Sequence, residues 1–158
     1  MRNLRIRIGV LILCQNKVLL IEHAKDGRSY WLIPGGGLNY GETIADCARR
    51  ELKEETNLDI NLIRFLFSSE SIAPDGSRHI VNLFFLGTVV GNSFENLKLG
   101  DEERLKSVAF IDIDDLDKIE FHPPFGAQLK SMILSGFLDQ RPSSQQHLGN
   151  LWKNYSIL

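Results

Sequence analysis

Cysteine is scarce in this chain, with two in 158 residues. Cys14 and Cys47 fall in a predicted strand and a predicted helix and read as small buried hydrophobes, which excludes a disulfide framework as the basis of the fold. Long apolar runs are missing too: none approaches the roughly 20 residues that a bilayer span requires. The opening MRNLRIRIGVLIL alternates instead of forming the continuous apolar stretch of a signal peptide. The expectation is a cytoplasmic protein with no membrane partner. Neither sign of charge dominates. The formal net charge is −2 and the sequence pI is near 6.1, so there is no broad basic field for long nucleic acid, and a small-molecule ligand fits better. No internal repeat is visible. With 43% hydrophobic residues, the chain suits a single compact domain over residues 1–139, followed by a tail at 140–158.

What the chain does have is concentrated between Pro34 and Leu58, PGGGLNYGETIADCARRELKEETNL. Thr43 is a candidate N-cap with Asp46 three residues on, which starts a helix near Ile44. Residues three and four apart are neighbours on a helix, so Glu51, Glu54 and Glu55 share one face. Ile44, Cys47, Ala48 and Leu52 project to the same side, and Asp46, Arg49, Lys53 and Thr56 to the opposite, water-facing side. The three carboxylates therefore extend the buried stripe, where repulsion and lost hydration are costly unless something positive compensates. A bound cation is the natural remedy. Oxygen-only ligation without clustered His or Cys favours Mg²⁺ or Mn²⁺ over zinc. Before the helix, Gly35, Gly36, Gly37 and Gly41 let the backbone bend sharply and approach a ligand, offering carbonyls to a metal and amides to phosphate.

These residues resemble the signature of the Nudix hydrolases: Gly, five residues, Glu, seven residues, Arg-Glu, an apolar residue, any residue, Glu-Glu, any residue, Gly, apolar. Here it reads Gly36, Glu42, Arg50, Glu51, Leu52, Glu54, Glu55, then Asn57 where the pattern has Gly, then Leu58. Asn is the next most tolerated residue for a left-handed helix cap. The resemblance implies that Glu51, Glu54 and Glu55 bind divalent ions, joined by the Gly35 carbonyl, that Arg50 orients Glu54, and that Glu42 braces the loop. It also implies attack of water on a diphosphate linked to another moiety. The general base comes either from the helix cluster or from a downstream loop glutamate, Glu102 or Glu103.

Along the chain, Arg5–Cys14 and Lys17–His23 read as a hairpin, Tyr30–Ile33 as a short strand into the glycines, and Leu62–Ser69 and His79–Val89 as antiparallel strands about the Pro74-Asp75-Gly76 turn. Val108–Ile111 reads as another strand, Asp114-Asp115-Leu116 opens a short helix, and Phe125, Leu129, Met132 and Ile133 mark a second substantial one. The pattern predicts an α/β fold, a Nudix-type α/β/α sandwich with a mixed central sheet. Trp152, Tyr155, Ile157 and Leu158 are too apolar for a solvated tail, so the C-terminal segment is expected to dock on its own domain or, as in a homodimer, on a second subunit.

The substrate is less legible. Tyr30, Trp31, Tyr40, Phe84 and Phe85 are candidates for stacking on a nucleobase, and Arg28, Arg78 and His79 for phosphate or ribose contacts, as are the amides of Gly36 and Gly37. Pro74 lies about where a proline marks the ADP-ribose pyrophosphatase group, which favours ADP-ribose or a nucleotide sugar over (deoxy)nucleoside triphosphates and dinucleoside polyphosphates. A nucleotide-sensing module that keeps the fold without turnover is the alternative of another class.

Overall fold

The computed structural model describes residues 3–136 and 146–152. Eight strands and two α-helices follow one another as β1 (Leu4–Cys14), β2 (Lys17–Lys25), β3 (Arg28–Leu32), β4 (Gly35–Gly37), α1 (Ile44–Thr56), β5 (Ile60–Ile72), β6 (His79–Val89), β7 (Leu105–Asp112), α2 (Gly126–Leu134) and β8 (Gln146–Asn150). Strand β1 organises the rest. Its run from Ile8 to Ile12 is buried throughout, because successive side chains feed opposite faces. Ile8, Val10 and Ile12 enter a cluster with Cys47, Ala48 and Leu52 of α1, whereas Leu11 joins Phe67, Phe84, Phe125 and Leu129 on the side of α2. The sheet is thus sandwiched between the helices, as its alternating pattern predicts.

The predicted hairpin closes only at its end, where Leu13 faces Val18 and Cys14 faces Lys17. Along most of its length β1 runs parallel to β6, from Leu4 beside His79 to Ile12 beside Gly87. Its other edge is taken by β4, with Arg7 opposite Gly37 and Gly9 opposite Gly35. This displaces β2, which forms a second ladder with β3 and β7. The approach of β4 requires glycine: a Cβ on Gly35, at φ 143°, would strike the Ile8 carbonyl.

Helix α1 has the expected start, with Thr43 Oγ1 accepting from the Asp46 N–H. It ends at Asn57, which is left-handed at φ 57° and donates its N–H to the Lys53 carbonyl. Other expectations need correction. Thr56 does not face water: it is fully buried, its hydroxyl donating to the Leu52 carbonyl, because the segment from 98 to 100 packs over the end of α1 and Lys98 donates to the Thr56 carbonyl. Ile44 is exposed instead of buried. The short helix expected near Asp114 is a single 3₁₀ turn at Ile113–Asp115. Strands β4 and β8 were not anticipated. The latter lies parallel to β5, with the Leu151 N–H donating to the Glu70 carbonyl and Leu148 and Leu151 packed against the α2-side core. Tyr155, Ile157 and Leu158, on which the docking expectation also rests, lie outside the described residues. No helix among the described residues is long and apolar enough to cross a membrane.

Asn57 gives a test of the helix end. Asn57→Gly relieves left-handed strain but loses the Nδ2 bond to the Asn96 carbonyl, so its stability should change by less than about 1 kcal/mol. Asn57→Ala keeps neither advantage and should cost about 1–2 kcal/mol in denaturant unfolding. An alanine variant as stable as the parent would show that the cap contributes nothing.

Candidate active site

Strand β4 and the turn after it bring the glycines onto α1. The Gly35 N–H donates to Glu55 Oε2 at 2.8 Å, and a Cβ at Gly36 would run into the Glu51 carboxylate. Glu55 is 4% exposed, and burial pushes its carboxyl up to about 8 against the opposing pull of Arg7 and the Gly35 N–H. Glu51 is shifted in the same direction, again by burial. Glu54, expected to point inward with them, is exposed. The buried stripe therefore carries Glu55 fully and Glu51 largely, with Glu54 at its solvent border.

Arg50 gathers the anions around itself. Its Nε and Nη2 donate to Glu42 at 2.7 and 2.9 Å, Nη1 donates to Glu51 at 2.6 Å and to Glu54 at 3.5 Å, and Nη2 reaches the Gly37 carbonyl at 3.1 Å. These charge-assisted bonds raise the guanidinium pKa further and, with the Asn39 N–H, hold Glu42 down to about 2. Glu42 thereby ties the turn at 39–42 to α1. Burial pushes the Cys47 thiol up to about 11, leaving it a protonated, apolar filler beneath the glycines.

A second arginine, overlooked in the sequence, stands on the other side. Arg7 Nη2 donates to the Ile33 carbonyl at 2.7 Å and to the Gly35 carbonyl at 3.0 Å. Burial lowers its pKa, opposed by the charges of Glu55 and Glu51. Beyond it lie His23, Tyr30 and His122. Tyr30 stacks on His122 with ring centroids 4.3 Å apart and stands 5.9 Å from His23. Burial, followed by the charges of Arg7 and Arg104, depresses His23 to about 4, and its Nε2 is buried with no hydrogen-bond partner. The signal in the sequence was slight: an Arg one residue before an unbroken apolar run, and rings far apart in the chain.

The loop before β7 also reaches the helix. Gly100 donates to the Glu55 carbonyl, and a Cβ there would strike the Glu54 carbonyl. The turn closed by the Leu105 N–H on the Glu102 carbonyl places Glu102 close enough to raise the Glu55 pKa. Glu103 is exposed on the same turn. Other expected site residues are elsewhere. Arg28 is exposed at the β2–β3 turn and Arg78 at the β5–β6 turn; His79 pairs with Glu70 at 3.1 Å. Among the ring candidates, Phe84 is fully buried and Tyr40 fully exposed, Trp31 packs on the α2-side core, and Phe85 packs edge-on against Phe65.

Among the described residues no three Asp, Glu, His or Cys side chains already converge as a cage for a metal ion; Glu51 and Glu54 are turned onto Arg50. The donors nevertheless suit a hard divalent cation. They are oxygens only, and one belongs to a buried carboxyl whose ionised form needs added positive charge. Convergence requires Glu51 and Glu54 to turn from Arg50.

The model of the NUDIX domain matches residues 3–131. A Methanocaldococcus jannaschii protein named ADP-ribose pyrophosphatase is 33% identical over 109 residues, covering 67% of this chain and 60% of that protein. A Nudix hydrolase of Bacillus subtilis is 30% identical over 118 residues, 75% of this chain and 72% of the other. In fold, a Nudix hydrolase from Nitrosomonas europaea superposes with a TM-score of 0.71 at 19% identity, covering 85% of this chain and 90% of that one. Proteins of this kind generally use divalent metal ions. A match that runs from the first strand into helix α2 leaves one conclusion: the chain belongs to the Nudix family.

Proposed function

We propose that the protein is a Mg²⁺-dependent hydrolase, with Mn²⁺ as a substitute, that cleaves the phosphoanhydride bond of nucleoside diphosphate derivatives, with ADP-ribose or a nucleotide sugar ahead of nucleoside triphosphates. The observation that carries this reading is the carboxyl of Glu55, 4% exposed and raised to about 8, set against a glycine strand beside Glu51. A carboxyl buried without an internal cation bonded to it is poised for an external one. The name of the archaeal relative supports the ADP-ribose preference.

In this reading Glu51, Glu54, Glu55 and the Gly35 carbonyl hold the metal, which when bound neutralises phosphate charge and activates water. Arg50 keeps Glu51 and Glu54 within reach of each other's position, and Glu42 fixes Arg50. The Gly37 amide, which points away from β1, faces the diphosphate, whereas the Gly36 amide is directed at the Ile8 carbonyl within the ladder. Glu102, the loop carboxylate that acts electrostatically on Glu55, takes the proton from the attacking water, ahead of Glu103. One P–O bond of the anhydride breaks and water's oxygen joins one phosphorus, so ADP-ribose yields AMP and ribose 5-phosphate.

A panel assay at fixed Mg²⁺, following phosphate, pyrophosphate and nucleoside monophosphate release, tests this. AMP release from ADP-ribose, lowered by orders of magnitude in a folded Glu55→Gln variant, is the expected result. Pyrophosphate release from a triphosphate would move the preference, and silence across the panel with retained nucleotide binding would establish a sensing module.

Stability in the absence of metal should also report Glu55. Its pKa in the fold is about 8, against an ordinary 4.5, so the folded state holds more protons between these values. The stabilising effect of the protonated carboxyl is complete below about pH 4.5 and is lost as pH rises toward 8. Metal-free protein should lose stability over this window by an amount on the order of a few kcal/mol, and Glu55→Gln should flatten the loss. His23 acts oppositely: depressed from 6.5 to about 4, it stabilises above about pH 6.5 and loses that effect as pH falls toward 4. Denaturant titrations across pH for wild type, Glu55→Gln and His23→Phe check both slopes; unchanged slopes would contradict the assigned shifts.

A further inference from the structure

The register of the sheet places a polar row beside the glutamate cluster. Arg7 on β1 lies next to Asn82 on β6, and Asn82 lies next to Ser69 on β5. One step along the same face, Gly9, Phe84 and Phe67 form the next row, the aromatic floor beneath α2. Arg7 reaches over that floor: a Cβ at Gly9 would meet Phe84 Cδ1 at 2.6 Å and Arg7 Nη1 at 3.3 Å. The row Arg7, Asn82 and Ser69 is therefore where the core under α2 gives way to polar chemistry.

Two of its members have unspent hydrogen-bonding capacity. Asn82 is 4% exposed, and its Nδ2 donates to Ser69 at 3.2 Å and Ser71 at 3.5 Å, whereas Oδ1 accepts no hydrogen bond among the described residues. Oδ1 is therefore an acceptor still open to a ligand donor. Arg7 spends Nη2 on the Ile33 and Gly35 carbonyls, and this anchors the guanidinium, while Nη1 and Nε have no hydrogen-bond acceptor among the described residues. The anchored group lies within electrostatic reach of Glu55, Glu51 and Tyr30. The Tyr30 and His122 rings, tilted 38° to each other, are only half-buried, so part of their ring surface is open to a ligand.

We propose that Arg7 and Asn82 are specificity-determining residues: Arg7 grips the phosphate nearest the nucleoside through Nη1 and Nε, and Asn82 Oδ1 accepts from that nucleoside while its base rests on the Tyr30–His122 pair. This rests on the reading that the substrate is a nucleoside diphosphate derivative, and it assigns the nucleoside to the sheet and the remaining phosphate to α1. A base on an aromatic wall and a phosphate on a tethered guanidinium are the pairings these groups favour.

Calorimetry with Mg²⁺ and four nucleoside monophosphates, beside inorganic phosphate, tests the assignment without turnover, since none of these probes contains an anhydride. Wild type should bind at least one nucleotide tenfold or more tighter than phosphate. Arg7→Lys, which keeps the charge but loses the fork, should weaken nucleotide binding about tenfold. Asn82→Leu and Tyr30→Ala should weaken nucleotide binding and leave phosphate binding unchanged. Side-chain NMR signals of Asn82 Nδ2 and Arg7 Nε in the wild type, shifting on nucleotide addition, give a readout independent of how the variants fold. The proposal is overturned if wild type binds no nucleotide better than phosphate, if folded variants bind as wild type does, or if those signals stay fixed. A hydrolase reading that fails in the panel assay leaves this binding result standing, so the two fail separately.

Discussion

Glu55 accepts the Gly35 N–H from within a nearly dry environment, and that bond joins the elements that matter for chemistry. It sets the glycine strand against α1 from one side while β1 holds the same strand from the other, with Arg7 opposite Gly37 and Gly9 opposite Gly35. Such close approach is open only to residues without Cβ. The arrangement also leaves a carboxyl where hydration cannot reach it, so its charge state is governed by neighbours. A carboxyl held in this way ionises readily only where added positive charge compensates it.

The two arginines supply such charge in different ways. Arg50 forms direct bonds to Glu42, Glu51 and Glu54, and its position on α1 lets it hold the more solvent-accessible acids. Arg7 forms none to Glu55 among the described residues; it acts through space while tied to two backbone carbonyls. A cation fixed by carbonyls keeps its remaining N–H groups for something else. This is why Arg50 reads as part of the scaffold for the acids, whereas Arg7 stands within electrostatic reach of both the acids and Tyr30.

Helix α1 was legible in the sequence because its information is local: a cap at Thr43, a 3.6-residue apolar period and a left-handed residue at Asn57. The layered α/β fold followed from alternation in β1, β5 and β6. The features that escaped depend on distant partners. A three-residue glycine strand has no side-chain pattern, so β4 is visible only once β1 offers its edge. Thr56 read as exposed because the loop that covers it begins some forty residues later at Lys98. In β1 the alternation Arg5, Ile6, Arg7 suggests solvent for both arginines, and only the flanking strands distinguish the exposed Arg5 from the half-buried Arg7.

This difference in legibility has a physical origin that bears on specificity. The acids of α1 are spaced by one helix, so their mutual geometry survives changes elsewhere in the chain. Arg7, Asn82 and Ser69 come from three strands, and their alignment depends on register: sliding one strand by a residue turns its side chain to the other face. The parallel pairing of β1 with β6 and the antiparallel pairing of β6 with β5 both have to hold for the row to form. The apolar row of Gly9, Phe84 and Phe67 pins that register, since any slip would drive an aromatic ring of the α2-side core toward α1. Core packing under α2 thus positions polar groups that take no part in the core, and substitutions in the aromatic floor would disturb the row of Arg7, Asn82 and Ser69 before they reached the carboxylates.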